Sequence, residues 1–286
     1  MVWSENLKSY LPRLMGEHPI LGPFADRAAI LLHGSTCRGV DDPFSDLDLY
    51  VLLRAEDLAE FDRRSPIRFY EFVLDGKKGH WMAYALEEFA ARVDRCEMAL
   101  ISELRTSIAL HNCLGGAREL IERAKSPMRP DVQRAFFFYN YYQMRNFHRA
   151  SDNPMERGDG LAVLFSLSQT IAYALRAALI LDGEPYPYEK WLRREALRHP
   201  TGEKLAPHVD AILDAIAGDA LRLAGPERQN PLSQQARQMR QILIDAARAN
   251  GIDEPWLTQW WLYISQAEAA TVGVRWQLHV KLKSNG

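Results

Sequence analysis

Two aspartates, Asp46 and Asp48, flank a single leucine at the start of DLDLYVLL. On an extended strand, residues i and i+2 project from one face, so these carboxylates stand side by side. They repel each other unless a divalent cation sits between them, and hard oxygen donors of this kind suit Mg²⁺ bridging to phosphate oxygens. Upstream lies Gly34-Ser35, followed by Gly39. A strand ending in Gly-Ser before a helix presents bare backbone N–H groups to an anion. The missing Cβ of Gly34 admits a phosphate closely, and the Ser35 hydroxyl adds a donor. Alone, a Gly-Ser turn is most often only a turn, and Asp-x-Asp only a solvated edge. In this order, on strands otherwise apolar, they form a specific pair.

Those residues need strands to hold them. The run AAILLHG stops abruptly at Gly34, as a buried strand entering a tight turn does. DLDLYVLL alternates, with Leu47, Leu49 and Val51 on one face and Asp46, Asp48 and Tyr50 on the other. RFYEFVLDGKKGHWMAY reads as two strands joined at Asp75-Gly76, a hairpin signal. Residues up to about Pro23 read as a short amphipathic helix, ALEEFAARVDRCEMALISEL is helical in period, 106–111 suits a short strand and 113–124 a helix. Ser126-Pro127-Met128-Arg129-Pro130 then breaks the pattern. Beyond it, 131–150, 161–181, 189–197, 209–217 and 234–250 read as helices, with one further strand candidate at 272–282. The expected organisation is a small domain of strands and helices over 1–126 and a mostly helical one over 127–286.

LLHGSTCRGVDDPFSDLDLYVLL resembles the hallmark of the nucleotidyltransferase superfamily related to DNA polymerase β. That hallmark is a hydrophobic strand, Gly-Ser, a few residues, Gly, and then an Asp-x-Asp strand; Ser45 directly before the first aspartate belongs to the match. The two-domain layout is similar to that of antibiotic nucleotidyltransferases acting on aminoglycosides and lincosamides, and of their uncharacterised bacterial relatives. The resemblance covers about residues 25–90, and PYPYEKWL at 185–192 adds to it. It implies an α+β fold: a small mixed β-sheet nucleotidyltransferase domain backed by helices, then a helical substrate-binding or lid domain. It also implies that ATP or another NTP lies with its phosphates over Gly34, Ser35, Gly39 and Ser45, while Asp46 and Asp48 hold one or two Mg²⁺. An acceptor hydroxyl or similar group, on a small molecule (an antibiotic among the candidates) or on a protein, receives NMP, with AMP from ATP the first expectation, and pyrophosphate leaves. Metal stabilisation of the attacking and leaving oxygens supplies most of the rate gain.

The family's third carboxylate is where this sequence departs. Aligned with the family's pattern, His80 falls near the acidic position, and an imidazole can bind metal or accept a proton. Glu71, alternating with Tyr70 and Phe72, is the best acid nearby, whereas Asp75 suits the Asp-Gly turn. Glu71 and His80 both stay open. In MERGDG, Glu156 and Asp159 precede the apolar helix from Leu161. Asp159 there caps a helix, or, as the resemblance implies, one of the two is the base that activates the acceptor. Lys190 either contacts the triphosphate or belongs to a proline-delimited helix start with Trp191 in the core. Arg194 and His199 fit the loose spacing of a helical ribonuclease family, which keeps a toxin–antitoxin-associated module among the alternatives. His33, His111 and His148 show no ligand spacing and read as structural. FFFYNYY at 136–142 reads as helix core, and Trp256 and Trp260 share a helix face.

Composition bounds the rest. The 286 residues carry 35 Lys plus Arg against 37 Asp plus Glu, a net charge of -2, which disfavours a nucleic-acid binder. Cys37, Cys96 and Cys113 are far apart and odd in number, which argues against a disulfide framework or a structural zinc site. The N-terminus lacks the apolar core of a signal peptide, and the apolar stretch at 171–181 is interrupted by Arg176 and too short to span a bilayer. A cytoplasmic protein with a small-molecule acceptor and an NTP as partners, and without a membrane partner, is expected; a homodimer is compatible with this. The competing expectation is a catalytically impaired nucleotide-binding or regulatory module of the same fold.

Overall fold

The computed structural model describes residues 7–11, 15–16, 18–39 and 41–267. The chain divides into two compact units, Met1–Ser126 and Pro127–Gly286.

The first unit is built on a five-stranded sheet of order β3-β4-β2-β1-β5. Its strands are β1 (Ala29–His33), β2 (Leu47–Leu53), β3 (Phe69–Leu74), β4 (Lys77–Ala85) and β5 (Ile108–Asn112). β1 is buried along its whole length, as a glycine-bounded apolar run should be. β2 and β4 pair in parallel and the other neighbours antiparallel, so the sheet is mixed. Between the strands run α1 (Ser35–Arg38), α2 (Ala55–Arg64), α3 (Leu86–Asp94) and α4 (Met98–Thr106), and α5 (Ala117–Lys125) follows β5. Alternation splits the core in two. Ile30, Leu32, Leu49, Val51 and Trp81 pack with Phe24 and with Leu58 and Phe61 of α2. On the opposite face, Ala29, Leu31, Tyr50 and Leu52 pack with Leu86 and Phe89 of α3, Leu100 and Leu104 of α4, and Leu120 of α5.

Asp75 (φ 50°) and Gly76 (φ 79°) both have positive φ, the two-residue turn whose twist matches a hairpin, and this fixes the β3–β4 register. Three boundaries differ from the sequence reading. The helical stretch 85–104 is interrupted at Cys96 (φ 58°), which separates α3 from α4. α4 runs on through Thr106, so the last strand starts at Ile108. Gly115 (φ 60°) and Gly116 (φ 87°) keep the chain out of the right-handed helical region, so α5 starts at Ala117 rather than at 113. Of the expected N-terminal helix, 7–11 is helical, with Leu7 and Leu11 in the core.

The second unit is helical among its described residues: α6 (Pro130–Ala150), α7 (Asp152–Arg157), α8 (Gly160–Leu181), α9 (Glu189–Ala196), α10 (Pro200–Ala217), α11 (Pro231–Ala249) and α12 (Trp256–Gln259). α6, α10 and α11 each carry proline in their first turn, where no backbone N–H bond is lost. From the aromatic run on α6, Phe137, Tyr139, Tyr141 and Tyr142 are buried; Trp256 packs on Phe137 and Phe138, and Trp260 on Tyr142. α8 is long and apolar enough to cross a membrane by length and composition, and half of that window is buried within the protein. The strand candidate at 272–282 lies outside the described residues. With its mixed sheet and helical second unit, the fold is α+β.

Candidate active site

At the end of β1 the backbone of Gly34 adopts φ 81° and ψ −153°, a region essentially reserved for glycine. A Cβ there would overlap Asp48 Oδ2 and come within 3.2 Å of its Cγ. The glycine therefore lets the chain turn and lets a carboxylate lie against bare backbone. Ser35 follows at the first position of α1 and is buried. Gly39 is exposed at the other end of this short helix, which it closes in the left-handed conformation.

The sheet register gathers four side chains. His33 is paired with Asp48, Asp48 with His80, and His80 with Glu71. Directly paired residues share a face, so Glu71, His80, Asp48 and His33 form a row across β3, β4, β2 and β1. In that row His80 Nε2 lies 3.1 Å from Asp48 Oδ1. The two residues the sequence left as alternatives are thus neighbours, with His80 between Glu71 and Asp48. Asp46 is exposed just before β2 and lines a cleft of about 210 Å³ together with Glu71, Lys78 and His80.

The loop leading into β2 is tied by its own polar groups. Ser45 Oγ donates to Asp42 Oδ1 (2.9 Å) and accepts from the Asp42 N–H (3.0 Å), while the Phe44 N–H donates to Asp42 Oδ1 (2.9 Å). These bonds hold the Asp42 carboxyl below its ordinary value, the Ser45 hydroxyl contributing most. Ser45 therefore braces the segment that delivers Asp46.

Behind the row is a polar cluster that the sequence reading did not find. His33 stacks on Tyr50 with ring centroids 3.7 Å apart, and the Tyr50 hydroxyl donates to Glu103 of α4. Glu103 Oε2 is also 3.8 Å from His33 Nδ1. Burial pushes the Glu103 carboxyl up, against the smaller opposing effect of the Tyr50 bond. Alternation puts His33 on the Asp48 face, but only the strand pairing makes them neighbours.

In the second unit, Asp159 caps α8, accepting from the Ala162 N–H at 3.2 Å. Glu156 is exposed on α7, and Lys190 is exposed on α9 with its ammonium 5.8 Å from the Trp191 ring centroid. His199 precedes α10 and lies 3.7 Å from Glu195.

Among the described residues, no group of three or more His, Cys, Asp or Glu side chains is gathered so as to hold a metal ion. Mg²⁺, however, commonly takes only one or two protein carboxylates and fills its shell with phosphate oxygens and water. By donor type, Asp46 and Asp48 fit that requirement.

No family model matches the chain, and neither does any curated protein. Among solved structures the chain is similar to a nucleotidyltransferase-like protein from Exiguobacterium sibiricum 255-15, with 9% identity and a TM-score of 0.46 over 92% of this chain and 80% of that one. At that distance, the chemistry of the site stands on its own residues.

Proposed function

We propose that this protein is a Mg²⁺-dependent nucleotidyltransferase that moves a nucleoside monophosphate, AMP from ATP first of all, to a hydroxyl or similar group of a small molecule. An antibiotic is a narrower form of that acceptor, and a protein side chain is the alternative to it. The observation that supports this reading most is the contact of Gly34 with Asp48: a glycine-only turn lies against a carboxylate with no side chain between them. Asp46 and Asp48 are the residues that would hold Mg²⁺, which when bound neutralises charge on phosphate oxygens. The backbone N–H groups around Gly34 and Ser35 and the Ser35 hydroxyl orient the triphosphate. The acceptor oxygen bonds to the α-phosphorus, the bond to the bridging oxygen breaks, and pyrophosphate leaves. The acceptor's proton passes to a base, for which His80 or Glu71 is the candidate.

Purified protein incubated with Mg²⁺, labelled NTPs and a panel of metabolites and antibiotics should release pyrophosphate. Asp46→Asn and Asp48→Asn should each abolish that release while leaving the circular dichroism spectrum unchanged. Full release by either variant would remove the metal assignment.

A second reading is favoured by His80. An imidazole, not a third carboxylate, is paired with Asp48, as in a nucleotide-binding or regulatory module that no longer turns over. Saturable, Mg²⁺-dependent ATP binding with no pyrophosphate release across the whole panel would select it.

A further inference from the structure

A cavity rich in arginine lies within the second unit, in a pocket of about 540 Å³. α6 contributes Arg145 and Arg149, one helical turn apart, and α11 contributes Arg237 and Arg240. Arg228 joins them from the short 3₁₀ turn Glu227–Gln229. Trp260 and Trp261 complete the wall.

The acids of this pocket do not balance its arginines. Glu227 is already committed: it accepts from Arg237 and from the Ser233 hydroxyl and lies 3.3 Å from His148 Nε2. The His148 contact, with Arg237 behind it, holds the Glu227 carboxyl low. Asp152 is pushed up, by burial first and then by the charge of Glu227. Among the described residues, no carboxylate lies within ion-pair distance of Arg145, Arg149, Arg228 or Arg240. The Nε atoms of Arg145 and Arg240 are buried without a hydrogen-bond partner. The Arg145 guanidinium lies 5.7 Å from the Trp260 ring centroid, and burial lowers its pKa, against the smaller opposing effect of Tyr141 and with the charge of Arg240 acting in the same direction as burial.

Like charges that are drawn together, partly desolvated and left with unused donors are costly to the protein unless something anionic joins them. A solvated arginine face would instead direct its donors to water. The guanidinium fork matches two oxygens of one phosphate, and several forks around one cavity match more than one phosphate group. We propose that this pocket is a binding site for a small molecule bearing a chain of phosphates, held by Arg145 and Arg240 within and by Arg149 and Arg228 at the rim. Trp261, 47% exposed, is available to an aromatic group attached to that chain. This site is independent of the reading of Asp46 and Asp48.

The test uses the full chain with EDTA present, so that a Mg²⁺-dependent site is silent. Inorganic tripolyphosphate is titrated by calorimetry and by tryptophan fluorescence, with ATP as the second probe and citrate as the carboxylate control. Tripolyphosphate should bind and should weaken as salt is added. Arg145→Gln and Arg240→Gln should each lower its affinity about tenfold or more, as expected for losing a charged hydrogen bond. The exposed Arg149→Ala and Arg228→Ala should lower it too, and they serve where the inner variants unfold. Asp46→Asn should bind like the wild type. If the phosphate chain is carried on a nucleoside, ATP binds more tightly than tripolyphosphate and Trp261→Ala removes the difference; if the two bind equally, the inorganic chain is sufficient. The proposal is overturned if neither probe binds, if citrate binds as well as tripolyphosphate, or if no arginine variant changes the affinity.

Discussion

At Gly34 two demands fall on one atom that is not there. The backbone sits where only glycine is comfortable, and Asp48 occupies the space a side chain would need. Gly34→Ala should therefore cost about 1–3 kcal/mol in backbone strain alone and should also displace Asp48, so stability and nucleotide binding fall together. Denaturation midpoints measured alongside ATP titrations check this, and wild-type ATP affinity in a destabilised Gly34→Ala would separate the two effects. Glu103 gives a pH signature. Its folded-state pKa is raised above the ordinary 4.5 by burial, so the folded protein holds this proton more tightly than the unfolded chain does. That contribution to stability is complete below the unfolded value and is lost as pH rises through the folded one. In Glu103→Gln the loss is absent, so its melting temperature relative to wild type should climb as pH rises from about 4.5. A difference that stays flat across that range would contradict it. Cys37 gives a third residue-level expectation. Burial pushes its thiol up to about 12, and Sγ lies 3.2 Å from the Leu32 carbonyl, whereas Cys113 is exposed. Iodoacetamide at neutral pH should label Cys113 first and Cys37 last, because the thiolate is the nucleophile.

Among the elements, the β3–β4 hairpin controls how Glu71 and His80 face Asp48. Gly76 has φ 79° with open space around it, so Gly76→Ala meets backbone strain but no clash. It should cost about 1–2 kcal/mol and leave the register intact, in contrast to Gly34→Ala; urea midpoints with pyrophosphate release distinguish the pair. This hairpin was readable from Asp75-Gly76, because turn chemistry is local. So were β1 and β2, from an apolar run ending in glycine and from the alternation of Leu47, Leu49 and Val51. The parallel pairing of β2 with β4 was not, since nothing in either strand names its neighbour. For that reason Glu71 and His80 stood as rivals in sequence although they lie side by side. His33 and Glu103 were missed for the same reason: their meeting depends on α4 packing over a face shared by β1 and β2. The start of α5 was misread because Gly115 and Gly116 interrupt a segment of otherwise helical composition.

Across the whole molecule, each unit carries its own core: two apolar layers around the sheet in the first, and α8 packed against α6 and α11 in the second. Expressed separately, the units should each unfold in a single sigmoidal transition followed by circular dichroism. A gradual, non-cooperative melt of either would contradict the division at Ser126. The sheet order of the first unit also carries a timetable. β3 with β4 is a local hairpin, and β1 with β2 is a second antiparallel pair, so each can form early on its own account. One pair carries Glu71 and His80, the other His33 and Asp48. They meet only when β2 zips to β4 across the chain segment that contains α2 and β3, a long-range closure whose entropy must be met before its contacts repay it. The row of four side chains is therefore absent from either half, and it arrives with the final seam of the sheet.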